Sequence, residues 1–337
     1  MSAPSYSWPE ELFPSDLVRS WLGSELGSNV VGPIRVLYVK QWGVTAAFTD
    51  TRLDRRVIFK GSRHPAAAHG PTVHQFLAET VPEFVPAVFA SRIHEDTAWT
   101  VFESIEGESL EDHLDRTRFV ELASSFAAIQ VAASEALIPA GIPRSPLRAL
   151  PATLDRFAES VERHRDQWES QGSGPQAASA RDAAGLLRSI RPRVVATVEE
   201  LGNAGWPNSI DHVDLNVSNA LVRDGQLVLI DWEEAIVGFP AFSLDRLLGD
   251  AQEYDGWRGE GPSPTGEALI GAYADRVPWG DPHLRRTVIE KAVGLNRVSF
   301  AGQVLDFWRA RGRAHGHPQL MAFCTDRILD AWTNGRE

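Results

Sequence analysis

A carboxylate and an amide flank a short hairpin in the second half of the sequence. Two apolar runs, Ala220–Val222 and Gln226–Ile230, are joined around Asp-Gly, a dipeptide that strongly favours a two-residue β-hairpin turn. Asn219 enters the first run and Asp231 leaves the second. Because a hairpin brings its two ends together, these side chains are expected to lie close to each other despite 12 residues of separation. Their hard oxygen atoms suit Mg²⁺, which keeps phosphate oxygens and waters among its ligands.

A second carboxylate, Asp214, lies five residues before Asn219 and two residues after His212. Two carboxylates and an amide around one hairpin supply the parts that phosphoryl transfer needs, which are one group to orient a hydroxyl and two to hold a metal ion. Taken singly, Asp214 and Asn219 could be turn residues, and Asp231 could simply end a strand. Together, behind a histidine, they favour a phosphoryl-transfer site.

The same segment carries a recognisable pattern. It reads His212-Val-Asp214-Leu-Asn-Val-Ser-Asn219 and then Leu229-Ile-Asp231-Trp-Glu233. In this pattern it resembles the aminoglycoside phosphotransferase and choline kinase family. The resemblance implies that Asp214 is the catalytic base or hydroxyl-orienting group, and that Asn219 and Asp231 bind Mg²⁺. It also implies a structural role for His212 beside the catalytic loop.

Asp245 resembles the buried aspartate with which this family braces the catalytic loop through backbone hydrogen bonds. It lies in the run Ser243-Leu-Asp-Arg-Leu-Leu248. An ordinary acidic residue in the first turn of a helix, stabilised there by the helix dipole, is an equal alternative.

Strand-like runs rich in Val, Ile, Phe and Tyr fill most of the first hundred residues, with short polar or glycine-containing turns between them. These runs are Ile34–Lys40, Thr45–Thr49, Arg56–Lys60, Ala87–Ile93 and Thr97–Glu103. One helical segment, Pro71–Thr80, separates the third run from the fourth, and after Gly107 apolar residues recur at helical spacing. The sequence predicts an α+β fold with a small antiparallel-β N-terminal lobe and a larger, mostly helical C-terminal lobe. The resemblance implies a protein-kinase-like two-lobed fold, with lobes over 1–103 and 109–337 and a hinge over 104–108.

Lys60 is the lysine expected to bind a nucleotide. Only Lys40, Lys60 and Lys291 are lysines among 33 basic residues, and a lysine retained in so arginine-rich a chain indicates a need for a compact charge. Lys60 ends an apolar strand, where the family has the lysine that holds the α- and β-phosphates. Lys40 is the alternative, but it precedes the Gln41-Trp-Gly43 turn and is expected to face solvent.

The resemblance also implies where the rest of the nucleotide binds. Gly43 belongs to the loop between the first two strands that would cover the phosphates. The carbonyl of Glu103 and the N–H of Ile105 would hydrogen-bond the purine of ATP or GTP.

One departure from the family pattern concerns the partner of the lysine. The helix after the lysine strand usually supplies a glutamate that pairs with it, whereas here Gly70 takes that place. Glu79 lies near the far end of the helix and is a poor substitute. Lys60 must then be oriented by phosphate, by water or by another acid.

Residues that bind the acceptor are expected after the metal-binding aspartate, against the helical lobe. The candidates are Trp232, Glu234, Asp255, Trp257, Asp306 and Trp308. The acidic residues of 250–255 would suit a polycationic aminoglycoside, but Arg309 and Arg311 would repel it. Trp257 and Trp308 could stack on a base or a sugar face of the acceptor, or could simply pack in the core.

These features predict a Mg²⁺-dependent small-molecule kinase. It would transfer the γ-phosphate of ATP or GTP to a hydroxyl of an antibiotic of aminoglycoside, nucleoside or peptide type, and so confer resistance. The alternatives are a metabolite kinase for choline, homoserine, thioribose or a sugar, and a catalytically silent nucleotide-binding module, which only Gly70 favours. A protein that merely binds nucleotide has no need of Asp214, which argues against the silent module.

Composition and motif searches exclude several other classes. With 33 basic and 45 acidic residues the net charge is −12, which disfavours nucleic acid as a main partner. The single cysteine, Cys324, excludes an intramolecular disulfide and a cysteine-based zinc site. No apolar run approaches the roughly 18 residues of a membrane span, and the N-terminus shows no secretory signal. Neither GxxxxGK[ST] nor GxGxxG occurs, which argues against a P-loop NTPase and a Rossmann dehydrogenase. A cytoplasmic bacterial enzyme is expected, as a monomer or homodimer without membrane contact.

Overall fold

The computed structural model describes residues 7–27, 34–51, 54–64, 68–170, 174–312 and 318–333. The chain divides into two compact units. The first unit consists of Met1–Asp115, Glu135–Pro143 and Val217–Ala235, and the second of Arg116–Ser134, Arg144–Asn216 and Ile236–Glu337. The hairpin around residue 225, expected in the C-terminal lobe on sequence grounds, is thus grouped with the first unit.

The strands form three antiparallel sheets. They are β1 Arg35–Lys40, β2 Gly43–Asp50, β3 Arg55–Ser62, β4 Val88–His94, β5 Thr97–Glu103, β6 Glu108–Ser109, β7 Ser209–Asp211, β8 Ala220–Arg223, β9 Gln226–Leu229 and β10 Ile236–Gly238. The largest sheet has the order β1-β2-β3-β5-β4, and its strands lie within two residues of the five runs expected from the sequence. The second sheet has the order β6-β8-β9, and the third pairs β10 with β7.

Of the helices in the described residues, the first two in chain order belong to the first unit, and the others make up most of the second unit. The helices are α1 Ser15–Leu26, α2 Gly70–Thr80, α3 Arg116–Glu135, α4 Leu150–Ser170, α5 Gly174–Ser189, α6 Arg191–Asn203, α7 Leu244–Tyr254, α8 Pro264–Arg276, α9 Arg285–Ala310 and α10 Pro318–Thr333. The sheet of five strands followed by a helical region confirms the predicted α+β class. Among the residues that the structure describes, no helix is long and apolar enough to cross a membrane.

Aromatic side chains join α1 to the five-stranded sheet. Trp21 on α1 meets Phe59 of β3 and Trp99 of β5 edge to face, with ring centroids 6.4 and 5.5 Å apart. Such pairs add packing energy to the burial of large apolar surfaces. They hold β3, the strand of Lys60, in the core of the first unit.

A buried glutamine organises the centre of the second unit. The side chain of Gln130, on α3, donates to the carbonyl of Ile210 in β7 at 2.8 Å and accepts from the backbone N–H of Ala241 at 3.3 Å. Ser209 donates to the Gln130 carbonyl at 2.6 Å. Because a buried amide without partners is costly, these bonds define where β7 lies against α3. The loop that carries Asp214 begins directly after β7.

Candidate functional site

The β8–β9 hairpin brings Asn219 and Asp231 to one end of the second sheet. Its turn residues Asp224 and Gly225 have φ values of 51° and 81°, as a type I′ turn requires. The backbone N–H of Ile230 donates to the carbonyl of Asn219 at 2.9 Å. Asn219 and Asp231 therefore lie at the same end of the hairpin, as the sequence predicts.

Lys60 points at this end of the hairpin. Its Nζ forms ion pairs with Asp231 and, at 3.1 Å, with Oε2 of Glu233. Asp231 adopts a left-handed conformation, with φ of 68°, where the chain leaves β9 and enters the 3₁₀ turn Trp232–Glu234. This bend places two carboxylates, separated by one residue, around a single ammonium group.

The charges of this cluster reinforce one another. Burial alone would lower the pKa of Lys60, but the carboxylates of Glu233 and Asp231 outweigh it and raise this pKa above its usual range. The lysine therefore remains charged at neutral pH. Burial is also the main influence on Glu233 and raises its pKa, while the charge of Lys60 opposes this effect.

A cavity of about 430 Å³ opens beside Lys60 within the first unit. Its apolar wall includes Ile58, Phe102 and Leu221, and residues 103–105 and 107 lie along it. Lys60 and Asp231 lie among its lining residues. An apolar slot with a few polar groups is the usual form of a small-molecule site, and this volume falls in the ordinary range for one.

A smaller cavity of about 90 Å³ lies under the turn between β1 and β2, and Gly43, Lys40, Lys60 and Glu233 are among its lining residues. Lys40 is exposed, as expected, but its charge also lowers the pKa of Glu233, so it faces this cluster as well. A Cβ atom on Gly43 would lie 2.9 Å from the Gly61 carbonyl oxygen. Gly43 is therefore needed for the close approach of β2 to β3.

The segment from Glu103, the last residue of β5, to Gly107 packs against strand β8 of the hairpin. The Glu103 carboxylate accepts from Arg223 at 2.7 Å and from the backbone N–H of Ala87 at 3.0 Å. A Cβ atom on Gly107 would lie only 2.2 Å from the carbonyl oxygen of Val222. The side chain of Glu103 thus has a structural role, which leaves its backbone as the part that could face a base.

The structure shows which acid accompanies Lys60 in place of the expected helix glutamate. Gly70 is the first residue of α2, and a Cβ atom on it would lie 3.3 Å from the Cβ atom of Glu233. Glu79 is exposed and accepts a hydrogen bond from Gln75. Sequence reasoning missed Glu233. The available signal was an acid two residues after Asp231, in the turn that follows a buried strand.

Asp214 belongs to the second unit and follows Val213, whose φ is 71°. The N–H of Val213 donates to Oγ of Ser243 at 2.8 Å. Ser243 in turn donates through its N–H and its hydroxyl to Oδ1 of Asp211, at 3.0 and 2.7 Å. Burial raises the pKa of Asp211 to about 7, although the hydrogen bonds from Ser243 oppose the shift.

Of the two interpretations of Asp245 that the sequence left open, the contacts of its carboxylate do not support the brace for this loop, and the residue lies in the first turn of α7. Its two carboxylate oxygens accept from Arg297 on α9 at 3.3 Å and from Arg327 on α10 at 2.7 Å. The bond to the loop backbone comes from Ser243, two residues earlier, because that side chain reaches the strained peptide of Val213. His212 is fully buried beside the loop, a placement that fits a structural residue.

The family model of the phosphotransferase enzyme family (APH) matches residues 43–286 of this chain. The chain belongs to this family. The matched range contains Lys60, the Asp214 loop and the hairpin with Asn219 and Asp231. A comparison with curated protein sequences finds no match.

Solved structures give the fold of this phosphotransferase. A choline kinase from Cryptosporidium parvum Iowa II is similar with a TM-score of 0.58 at 12% identity, over 95% of this chain and 96% of that chain. An amicoumacin kinase in complex with AMP-PNP and Ca²⁺ has a TM-score of 0.59 at 12% identity, over 95% of both chains. A thermostable mutant of aminoglycoside phosphotransferase APH(4)-Ia, with ADP and hygromycin B, has a TM-score of 0.52 at 15% identity, over 95% and 99%. The fold is therefore protein-kinase-like.

Two of the acceptor candidates of this phosphotransferase lie in the first unit. Trp232 is 1% exposed and its indole N–H donates to the Leu229 carbonyl at 3.1 Å, so it packs in the core of the turn. Glu234 is partly exposed, and its carboxylate lies 4.0 Å from Nε2 of His64. Of these two side chains, only that of Glu234 is accessible enough to contact a ligand.

The other four candidates lie in the second unit. Asp255 accepts from the N–H and the hydroxyl of Thr265, both at 2.8 Å. A hydrogen bond with Ser263 and those from Thr265 hold its pKa below the usual value, so its carboxylate stays ionised beside the start of α8. Asp306 is exposed and lies 3.8 Å from Arg156. Trp257 is partly exposed, and the ring of Trp308 packs at right angles on Phe307.

Proposed function

We propose that this phosphotransferase is a Mg²⁺-dependent small-molecule kinase that moves the γ-phosphate of ATP or GTP to a hydroxyl group of its acceptor. The observation that carries the proposal is the cluster of Lys60 and Asp231 at the 430 Å³ cavity, with Asn219 at the same end of the hairpin. A fixed cation beside a carboxylate and an amide is suited to a triphosphate with its metal ion.

The donor set at the hairpin fits Mg²⁺. Asp231 offers a carboxylate and Asn219 an amide oxygen, both hard ligands. In the described stretches no three His, Cys, Asp or Glu side chains cluster in a way that would hold a metal by themselves. Mg²⁺ is usually bound by one or two protein oxygens together with substrate phosphates, so two residues suffice. When bound, the ion would supply positive charge to the transferring phosphoryl group.

Each remaining residue of the pattern has a proposed part. Lys60 contacts the α- and β-phosphates, because its charge is held at the cavity by two carboxylates. The carbonyl of Glu103 and the N–H of Ile105 bind the purine edge. Asp214 orients the acceptor hydroxyl and accepts its proton, a role that rests on the family pattern with His212. Arg246, whose Nε lies 3.6 Å from Oδ1 of Asp214, keeps that carboxylate in place.

For the acceptor we propose a hydroxyl-bearing antibiotic, so that the enzyme would confer resistance. The similar structures include enzymes that act on antibiotics as well as choline and ethanolamine kinases, and a choline-type metabolite is the second candidate. Asp255 stays ionised while it accepts from Thr265, so the acidic stretch of 250–255 keeps its charge. Aminoglycoside, nucleoside and peptide antibiotics all therefore belong among the candidate acceptors.

The test is nucleotide turnover with Mg²⁺ and either ATP or GTP over a panel of acceptors. The panel contains aminoglycoside, nucleoside and peptide antibiotics together with choline, ethanolamine, homoserine, thioribose and simple sugars. The matched control is Asp231→Ala, which removes a metal ligand and is expected to abolish turnover while the protein remains folded. Turnover that is equal in the variant would exclude Asp231 from the site. Nucleotide binding without turnover on any acceptor would favour the silent binding module.

A further inference from the structure

The geometry points to Glu233 as the positioning residue that holds Lys60 for the nucleotide phosphates, in place of an acid on α2. This inference rests on the proposed function, because the lysine needs positioning only if it meets phosphate. The inference gives a role to Glu233, to which the resemblance to the family assigned none.

The first support is the environment of the ammonium group. Lys60 has two carboxylate partners, Asp231 and Glu233. If Asp231 binds the metal ion, its charge is shared, and Glu233 is left as the acid that can fix the direction of Nζ. Glu233 is 7% exposed and sits in the 3₁₀ turn directly after Asp231, so its own position is well determined.

The second support is the packing of Gly70. A Cβ atom at this position would lie 3.3 Å from Cβ and 3.4 Å from Cα of Glu233, which is tighter than ordinary van der Waals contact. The Cβ atom of a side chain at residue 70 would therefore lie against the Cβ atom of Glu233. A carboxylate beside Lys60 could therefore come from residue 70 or from residue 233, and in this chain it comes from Glu233, directly after the hairpin.

The third support is the attachment of α2 to the same turn. Nε2 of His69, the residue before α2, donates to the carbonyl of Ala235 at 2.7 Å. Burial lowers the pKa of His69, which favours the neutral ring. The start of α2 is thus held against 233–235 without contributing a charge. Lys60, its acid and the metal-binding aspartate all belong to the first unit.

The first experiment measures ADP binding by calorimetry, with Mg²⁺ and again in EDTA. Glu233→Gln keeps the shape of the side chain but loses its charge, and we expect it to weaken ADP binding about tenfold with Mg²⁺, since a charge-assisted bond is lost. The loss should be smaller in EDTA, where Asp231 can still pair with Lys60. ADP binding with Mg²⁺ that is as tight in Glu233→Gln as in the wild type would overturn the inference. Glu79→Gln, the same change on the exposed face of α2, is the control and should bind ADP as the wild type does.

The second experiment exchanges the two residues. In the double variant Gly70→Glu with Glu233→Gly the carboxylate starts from the helix, and we expect ADP binding to recover to within about threefold of the wild type. Glu233→Gly alone should remain weak. Failure of the exchange would contradict the view that the two positions are alternatives for one carboxylate. A loss of ADP binding by Glu233→Gln that is equally large in the wild type and in a Lys60→Ala background would show that Glu233 does not act through Lys60.

The outcomes separate this inference from the proposed function. If Asp231→Ala abolishes turnover on an identified acceptor but Glu233→Gln binds ADP and transfers phosphate normally, the kinase proposal stands and the positioning role is wrong. If the wild-type protein binds neither ADP nor ATP, both fall together. A positioning residue should change KM for the nucleotide more than kcat, and it should leave the midpoint of thermal unfolding nearly unchanged.

Discussion

Single side chains decide the chemistry at two places, and in both a carboxylate is held by a neighbour rather than by solvent. At Lys60, two acids keep the half-buried ammonium group charged. At the loop of Asp214, burial raises the pKa of Asp211 to about 7, and Ser243 donates to this carboxylate while it accepts from the N–H of Val213. The two clusters differ in their proposed roles. The Lys60 cluster would contact the phosphates of the nucleotide, whereas Asp211 and Ser243 fix the backbone conformation of the loop.

Asp214→Asn should separate transfer from binding. The amide keeps the size of the side chain and can still accept a hydrogen bond, but it cannot take a proton or orient a hydroxyl as a carboxylate does. We expect phosphoryl transfer in single turnovers to fall by about 10²–10⁴-fold, with nucleotide affinity nearly unchanged. A fall of less than about tenfold would remove Asp214 as the orienting group, and a parallel loss of nucleotide affinity would assign it to the metal or the fold.

Asp211→Asn should change how stability depends on pH. The folded pKa of Asp211 is about 7, against 3.8 for an ordinary aspartate, so the folded state binds more protons between these values. The free energy of unfolding contributed by this group therefore falls as pH rises from about 4 through 7. Asparagine keeps the acceptor for Ser243 and never ionises. Relative to the wild type, the variant should gain on the order of 1 kcal/mol or more in the free energy of unfolding between pH 5 and pH 8, measured by urea unfolding. An equal difference at both pH values would contradict this assignment.

At the scale of elements, the β8–β9 hairpin joins the proposed metal ligands to the wall of the cavity. Asn219 and Asp231 lie at the end of the hairpin opposite its turn, and its first strand pairs with β6, which follows the Glu103–Gly107 segment. Because residues 103–105 and 107 line the cavity, any displacement of that segment should change nucleotide binding.

Gly107→Ala is expected to cause such a displacement. The added methyl group would lie 2.2 Å from the carbonyl oxygen of Val222, so the segment must move away from β8. Overpacking of this kind costs about 1–3 kcal/mol, and we expect a lower midpoint in thermal unfolding together with a higher KM for nucleotide. Gly249→Ala, on α7 with nothing within 4 Å of the new methyl group, is the matched control and should be neutral or slightly stabilising. Equal behaviour of the two variants would mean that β6 and β8 do not depend on this contact.

The elements were predictable from sequence where the signal is local. Alternating β-branched and aromatic residues indicate β1 to β5, and Asp224-Gly225 specifies the hairpin that brings Asn219 towards Asp231. What could not be predicted depends on contacts between distant segments. From the sequence, Gly70 indicates that Lys60 lacks its acidic partner. Only the folded chain shows that Glu233 lies beside Gly70 and pairs with Lys60.

The same limit explains the other corrections. Asp245 matches a family pattern, but its partners Arg297 and Arg327 lie on helices far along the chain, so its role could not be read locally. Asp255 belongs to an acidic stretch in sequence, and only the structure shows that Thr265 takes up its carboxylate. Ser243 carries no chemical signal in sequence, since serine is common at helix starts.

On the scale of the whole molecule, every residue proposed to bind nucleotide or metal belongs to the first unit, although that unit is assembled from three separate stretches of chain. Lys60 comes from the first stretch, and Asn219 and Asp231 come from the last. Binding should therefore link parts of the chain that are far apart in sequence and should stabilise the folded protein against unfolding.

Saturating Mg²⁺ and ATP should raise the midpoint of thermal unfolding. A ligand that binds only the folded state at a hundred times its dissociation constant stabilises that state by about 2.7 kcal/mol. Asp231→Ala leaves Lys60 and the cavity wall but removes the carboxylate for the metal, so the part of the shift that needs Mg²⁺ should disappear while a smaller shift from ATP in EDTA remains. The measurement is a thermal scan of both proteins with ATP in Mg²⁺ and in EDTA. Equal Mg²⁺-dependent shifts in the two proteins would place the metal elsewhere, and the complete loss of both shifts in the variant would mean that Asp231 is needed to form the cavity itself.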